Sequence, residues 1–312
     1  MKDVIIVKNL KKNYIGRQAV KGISFEVHKG EVLGLLGPNG AGKSTTINIL
    51  ANVLSYDGGT IEVLGHDLSR ETKAIKKEMG IIPQDLAIYE ELSAEENVRF
   101  FASIYNIKGK ELDKNVKKAL ESVELYDRRN DKPKTFSGGM KRRLNIACGI
   151  AHNPQIIIMD EPTVGIDPQS RNHILEFIKT LKAKGITVIY STHYMEEIEA
   201  VADRMIVMNE GKIIAEGTKE DLLKKVNNDV TYTFVLTNLD KLDENLILNL
   251  DKVKKVNKTE DLLEVVVSET EDDINEIVSL ILTNNCKIQN MNRKESSLED
   301  IFLDLTGRSL RD

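Results

Sequence analysis

The chain has 312 residues and a mass of 35.1 kDa, enough for two domains, and its 41% hydrophobic content suits folded globular material, not a disordered tail. A net charge of −5, with lysines spread among acids and a pI near 5.7, argues against a nucleic-acid binder. No apolar run approaches the roughly 18 residues of a membrane span, MKDVIIVKNL is not a signal peptide, and the lone Cys148 and Cys286 supply neither a disulfide framework nor a zinc site, so a cytosolic protein is expected.

The first elements read as two strands, IIVKNL and GISFEV, around a polar stretch holding Tyr14-Ile15-Gly16. That stretch is predicted to be a loop. Because it precedes the strand that leads to the phosphate motif, Tyr14 is assigned as a stacking platform for a nucleotide base. Val32 to Leu36 is a buried-strand pattern, and Gly37, Pro38, Asn39, Gly40, Ala41, Gly42, Lys43, Ser44 and Thr45 follow it into an amphipathic helix. This is a P-loop. Its glycines let successive N–H groups curl around an anion at the positive end of the helix. Lys43 adds a point charge, and Ser44 offers a hydroxyl to magnesium.

Gly58-Gly59 turns the chain into another strand, TIEVLG, and Gly80 to Gln84 reads as a strand whose last polar residue, Gln84, meets a loop. From Glu90 to Asn130 the apolar spacing is helical, with Val98, Phe101, Ile104 and Tyr105 three and four residues apart, which predicts an inserted helical subdomain over about 90–150. Ser137 is a helix N-cap, and Gly138 and Gly139 beside it suggest close approach of an anion. Gln155 to Met159 reads as a fully buried strand that ends in Asp160 and Glu161. Two acids there are expensive unless they work: Asp160 is predicted to face magnesium at the P-loop, and Glu161 to act as base or water-orienting group. Gly165 to Pro168 turns into a helix, and a further buried strand from Gly185 ends at His193. A lone histidine is more often structural, but ligands of open α/β sheets collect at strand carboxyl ends. Met205 to Glu216 reads as a hairpin turning at Glu210-Gly211.

Beyond about Val226 the composition shifts, and glycine is absent until Gly307. A second, small α+β domain is expected over 226–312, with strands at Thr231–Leu236, Leu262–Val267 and Cys286–Met291 and a helix at Asp272–Leu282. In the tail, Ser297 is a helix cap, and Leu298, Ile301, Phe302 and Leu305 recur on one helical face.

Tyr14, the P-loop, Gln84, Ser137-Gly138-Gly139, Asp160-Glu161, Gly165-Ile166-Asp167 and His193 stand in the order found in ATP-binding cassette proteins, which residues 1–225 resemble. The resemblance implies a P-loop NTPase cassette of α/β class, a mixed sheet with a helical subdomain, ahead of the small C-terminal domain. It implies ATP and Mg2+ as cofactors, Gln84 as a lid-loop residue touching magnesium and the attacking water, and His193 as a contact of the γ-phosphate. Phe136 to Met140 becomes the signature sequence. It departs from the commonest form at Phe136, where leucine is usual, and at Met140, where glutamine is. A head-to-tail homodimer is implied, in which Ser137, Gly138 and Gly139 of one subunit close over ATP on the P-loop of the other. The tail from Glu295 to Arg308 resembles ATPase subunits of bacterial exporters of the drug-resistance and sodium-extrusion type. That implies a cytoplasmic ATPase held on the inner face of the membrane by a separate permease. The alternatives are a soluble cassette ATPase acting on nucleic acid or ribosomes, and a nucleotide switch that does not hydrolyse.

Overall fold

The computed structural model describes residues 2–225, 229–239, 242–268, 274–295 and 302. β1 (Asp3–Tyr14) and β2 (Arg17–His28) alternate buried apolar and exposed polar residues, as a strand with one face on a core must. They pair antiparallel as far as Tyr14 opposite Arg17, so only Ile15 and Gly16 form the turn, Gly16 at φ 75°. This corrects the reading of Tyr14 as a loop residue: it ends a strand, and pairing with Arg17 fixes its position. β4 (Gly58–Val63) and β5 (His66–Asp67) complete a four-stranded sheet in the order β2-β1-β4-β5.

The central sheet collects the continuous apolar runs. β3 (Val32–Leu36), β7 (Ile156–Asp160) and β8 (Thr187–Thr192) are buried at every residue, as strands covered on both faces must be. With β6 (Met79–Ile82), β9 (Arg204–Asn209) and β10 (Lys212–Gly217) they form a sheet ordered β10-β9-β3-β8-β7-β6. It is parallel from β6 to β9, while β10 returns antiparallel through the turn at Glu210 and Gly211. Helix α1 (Lys43–Leu50) touches β2 on one side and β7 on the other. Its Ile47 and Leu50 join a core made with Leu33 and Leu35, Ile156 and Ile158, and the inner residues of the first sheet. Short α2 (Thr72–Glu78) leads into β6. On β8 lie α6 (Pro168–Ala183) and α7 (Met195–Val201), the latter also touching β3. The parallel strands therefore point their carboxyl ends at one edge, where α1 begins.

Between β6 and β7 stand α3 (Ala94–Ile104), α4 (Gly109–Ser122) and α5 (Gly138–Ile150), packed on one another, with α5 also against β6. α3 opens on a capping box, Ser93 and Glu96 satisfying each other's backbone N–H, an arrangement worth about 1 kcal/mol. After α5, His152 stacks on Tyr105 with ring centroids 3.6 Å apart and donates through Nε2 to the Met79 carbonyl at 3.1 Å. Burial pushes its pKa down to about 4. An unfolded chain takes up this proton near the ordinary value of about 6.5, so the stabilisation is complete above that pH and is lost as pH falls towards 4. The full loss is on the order of 3 kcal/mol. Urea unfolding at pH 7.5, 6 and 5 should show stability falling with acid, and His152→Phe should flatten that slope while keeping the stack. Equal slopes in the two proteins would remove His152 as the source.

The chain divides into two compact units between Thr218 and Lys219, so the second includes α8 (Lys219–Lys225), ahead of the composition change near Val226. Its sheet is antiparallel in the order β12-β13-β11-β14, from β11 (Asp229–Thr237), β12 (Val253–Lys258), β13 (Leu262–Ser268) and β14 (Lys287–Glu295). β13 buries every second residue, Leu263, Val265 and Val267, against Phe234, Ile247 of α9 (Glu244–Leu248), and Ile277 and Ile281 of α10 (Ile274–Thr283). α9 and β12 carry no clear apolar period, so the sequence pattern does not mark them. Both cysteines are buried, Cys148 with its thiol pKa raised by burial. Of the tail-helix residues, Ser297, Leu298, Ile301 and Leu305 lie outside the described residues, and Phe302 is buried. Among the described residues no helix is long and apolar enough to cross a membrane.

Candidate functional site

β3 delivers the chain to the P-loop, and left-handed Gly40 and Gly42, at φ 79° and 104°, bend it into the first turn of α1. A side chain at Gly42 would lie 2.8 Å from the Ala19 carbonyl, so the bend is also enforced by β2. A cleft of about 230 Å³ results, lined by Tyr14, Arg17, Ala19, Asn39 to Thr45, Gln84 and Glu161. Gly37 and Pro38 stand beneath it, and their carbonyls accept from Lys43 Nζ at 2.7 and 3.2 Å.

Lys43 is buried and lies 3.2 Å from Glu161 Oε1. Burial lowers its pKa, while Glu161 and then Asp160 oppose that shift by favouring the charged form. Ser44 Oγ donates to Asp160 Oδ1 at 3.2 Å. This hydroxyl and carboxylate are hard oxygen donors of the kind magnesium takes, and with phosphate oxygens and water they fit that ion. Glu161 sits at φ 44°, an uncommon conformation for a residue with a side chain. Its N–H donates to the Ser191 carbonyl and to Ser191 Oγ, at 3.1 and 3.0 Å. His193 Nδ1 is 3.5 Å from Glu161 Oε2, without hydrogen-bond alignment. The carboxyl ends of β7 and β8 thus bring Asp160, Glu161 and His193 together beside the cradle.

The signature region stands apart. Ser137 caps α5 by accepting from Met140 N–H at 3.2 Å, and none of Ser137, Gly138 and Gly139 lines the cleft. Gly139 has a packing role that its place in the motif does not show. A Cβ there would fall 1.8 Å from Ser170 Oγ and 3.2 Å from Asp167 Oδ2, so this glycine serves the close packing of α5 on the start of α6. At Gly138 nothing lies within 4 Å of the added atom, and that residue keeps the open face. Gly139→Ala should therefore destabilise the cassette by about 1–3 kcal/mol, the usual cost of overpacking, and Gly138→Ala by much less. Chemical denaturation of the pair tests this, and equal midpoints would refute it.

Several supporting groups escape a residue-by-residue reading. Arg17, which lines the cleft, donates through Nη2 to the Gly40 carbonyl at 2.8 Å. Arg142, buried on α5, donates to the carbonyls of Pro83 and Gln84 at 3.0 and 2.6 Å, tying the signature helix to the Gln84 loop. Ser191 Oγ also donates to Asp160 Oδ1 at 2.6 Å. Glu197, on α7, accepts from the hydroxyls of Thr163, Tyr190 and Thr192 at 2.7 to 2.8 Å and faces Arg171 at 3.3 Å. A buried hydroxyl at a strand end is a weak signal for Ser191. For Arg17 and Arg142 the partners are 23 and 58–59 residues away, so no local pattern marks them.

The description "ABC transporter" matches residues 20–164. The linearmycin resistance ATP-binding protein LnrL of Bacillus subtilis (strain 168) is 43% identical across 98% of this chain and 99% of its own length. The chain belongs to the ABC transporter family. This ABC protein is also 32% identical to the daunorubicin/doxorubicin resistance ATP-binding protein DrrA of Streptomyces peucetius, over 99% of the chain and 94% of the relative. Residues 217–306 match the C-terminal domain of DrrA1-3-like ATP-binding proteins. Among solved structures, the ATP-binding subunit of an ABC transporter superposes with a TM-score of 0.65 at 32% identity, covering 71% of this chain and 92% of the other. A dimeric ATP-binding cassette in a post-hydrolysis state, bound to ADP and Pi, gives 0.63 at 28% identity, over 69% and 98%. The ABC protein described here is thus an ATPase that uses ATP and magnesium and couples hydrolysis to transport.

Proposed function

We propose that this ABC protein is the motor of an exporter: two copies close head-to-tail on ATP and drive a separate membrane permease on whose inner face they sit. Cargo of the drug-resistance type is the reading its relatives' names support. The observation that carries the shared-site reading is the placement of Ser137 and Gly138, which are exposed and outside their own chain's cleft. A second copy presenting them would add a hydroxyl and the start of α5 to the phosphates held by Gly40 to Ser44. A partner surface is supported by Tyr89 and Phe100, which meet edge to face at 5.1 Å while remaining 49% and 40% exposed, with Ile104 on the same helix exposed as well. Exposed aromatic clusters of this kind mark docking sites.

Within the site, Lys43 and the P-loop N–H groups bind the phosphates. Ser44, Asp160 and Gln84 would hold magnesium, which would neutralise charge developing on the phosphates. Glu161 accepts the proton of the attacking water, His193 contacts the γ-phosphate, and Tyr14 stacks on the base. Each nucleotide state does work only through its different affinity for the open and closed arrangements.

The test is a mixed dimer of one Lys43→Ala subunit and one Ser137→Arg subunit. Head-to-tail closure puts both lesions in one composite site and leaves the other intact, so nucleotide binding should show one ATP per dimer. Two damaged sites and no bound ATP would refute the geometry.

A further inference from the structure

At the end of the central sheet opposite the P-loop lies a cavity of about 650 Å³, within the range that suits a drug-sized ligand. It is bounded by the starts of β7 and β8, the last residues of α5, the inner face of α6 and the side of α4. Its walls are apolar, chiefly Ile150, Phe177, Leu181 and Ile186. Lys29, Lys118 and Lys184 also line it, all exposed, while no carboxylate does. Among the described residues none of these lysines makes an ion pair; Lys118 only donates to Asn153 Oδ1, at 3.1 Å. The remaining wall includes Asn115, 7% exposed, whose side-chain Nδ2 has no hydrogen-bond partner.

We propose that this cavity is a regulatory site for an amphiphilic anion, an apolar body carrying a carboxylate. The apolar walls take the body, and the lysines, uncompensated by any acid in the lining, favour a negative head over a neutral or positive one.

The regulatory role follows from which elements meet there. α5 begins at the Ser137 cap and ends at Ile150 in the cavity; α6 begins at Asp167, beside Gly139, and brings Phe177 and Leu181 to it. β7 and β8 start in it and end at Asp160 and Thr192. A ligand wedged between α4 and α6 therefore braces the helical insertion against the strands that carry the catalytic edge. If the insertion must shift during turnover, binding that favours one arrangement changes the rate.

The test uses the full-length protein, dodecanoate as probe and isothermal titration calorimetry below the micelle concentration, with and without saturating magnesium-ATP. One saturable site per chain is expected, not displaced by ATP, with ATPase rate shifted about twofold or more on saturation. Dodecanol, with the same tail and no charge, should bind about tenfold or more weakly, and so should dodecanoate to the double variant Lys118→Glu/Lys184→Glu. Both positions are exposed, so this variant should keep the fold and its basal ATPase rate while losing the response. Absence of saturable binding overturns the proposal. So do competition by ATP, equal affinity for dodecanol, which would mark a neutral tail as occupant, and undiminished binding by the double variant. A site that binds but leaves the rate unchanged overturns the regulatory role.

Discussion

Lys43→Ala is expected to lower ATP hydrolysis by about a thousandfold and to weaken ATP binding as well. The larger effect falls on turnover because charge builds on the phosphoryl oxygens in the transition state, where one positioned donor is worth about 10²–10³ in rate, and this donor carries a full charge. Its position is fixed from behind by the Gly37 and Pro38 carbonyls, so a lysine displaced by even one residue could not substitute. Removing it also strips the buried Glu161 of a cation 3.2 Å away, which lowers stability. Hydrolysis should therefore be measured at a temperature where circular dichroism shows the variant folded. The Pro38 and Gly37 carbonyls, left without their donor, have water from the open cleft as a replacement. Turnover close to the unaltered rate in a folded variant would sink the assignment of this loop as the catalytic phosphate cradle.

What was legible in the sequence is what short segments carry complete. The P-loop holds its glycines, lysine and hydroxyl within a few residues, and β7, β8 and the Glu210-Gly211 hairpin announce themselves by apolar runs and turn chemistry. Asp160, Glu161 and His193 were legible for a related reason: a buried strand ending in charge points that charge at the sheet edge where α1 starts. Relations that depend on folding were not legible. Arg142 reaches Gln84 only because α5 packs on β6, and Gly139 is required by α6, whose Ser170 lies far along the chain. Tyr14 reads as a loop residue because polar neighbours hide a strand whose pairing partner, Arg17, comes after the turn. In the C-terminal unit α9 is one turn long and β12 reads VKKVNK, too short and too charged for periodicity to register, and both depend on β13 and its buried face for their place. The regulatory cavity is the extreme case, since Asn115, Ile150, Phe177 and Ile186 share no motif.

Glu161→Gln is expected to cut hydrolysis by about 10²–10⁴, the range for loss of a positioned general base, while leaving ATP affinity within a few fold. The amide has the same shape, and its Oε1 can still accept from Lys43 Nζ, so the cradle keeps its geometry. What the amide lacks is basicity, because it cannot take the proton of the attacking water. The strained φ of 44° at residue 161 is held by Ser191 through the backbone N–H, which the substitution does not touch, so the backbone should stay in place. With ATP bound and chemistry stalled, the closed pair of subunits has no route to open through ADP, and the dimer should persist. Size-exclusion chromatography with magnesium and ATP should then show the variant as a dimer and the unaltered protein returning to monomer as ATP is consumed. Hydrolysis at an undiminished rate would take the role of base from Glu161, and a variant that stays monomeric with ATP bound would count against closure of two copies over shared nucleotide.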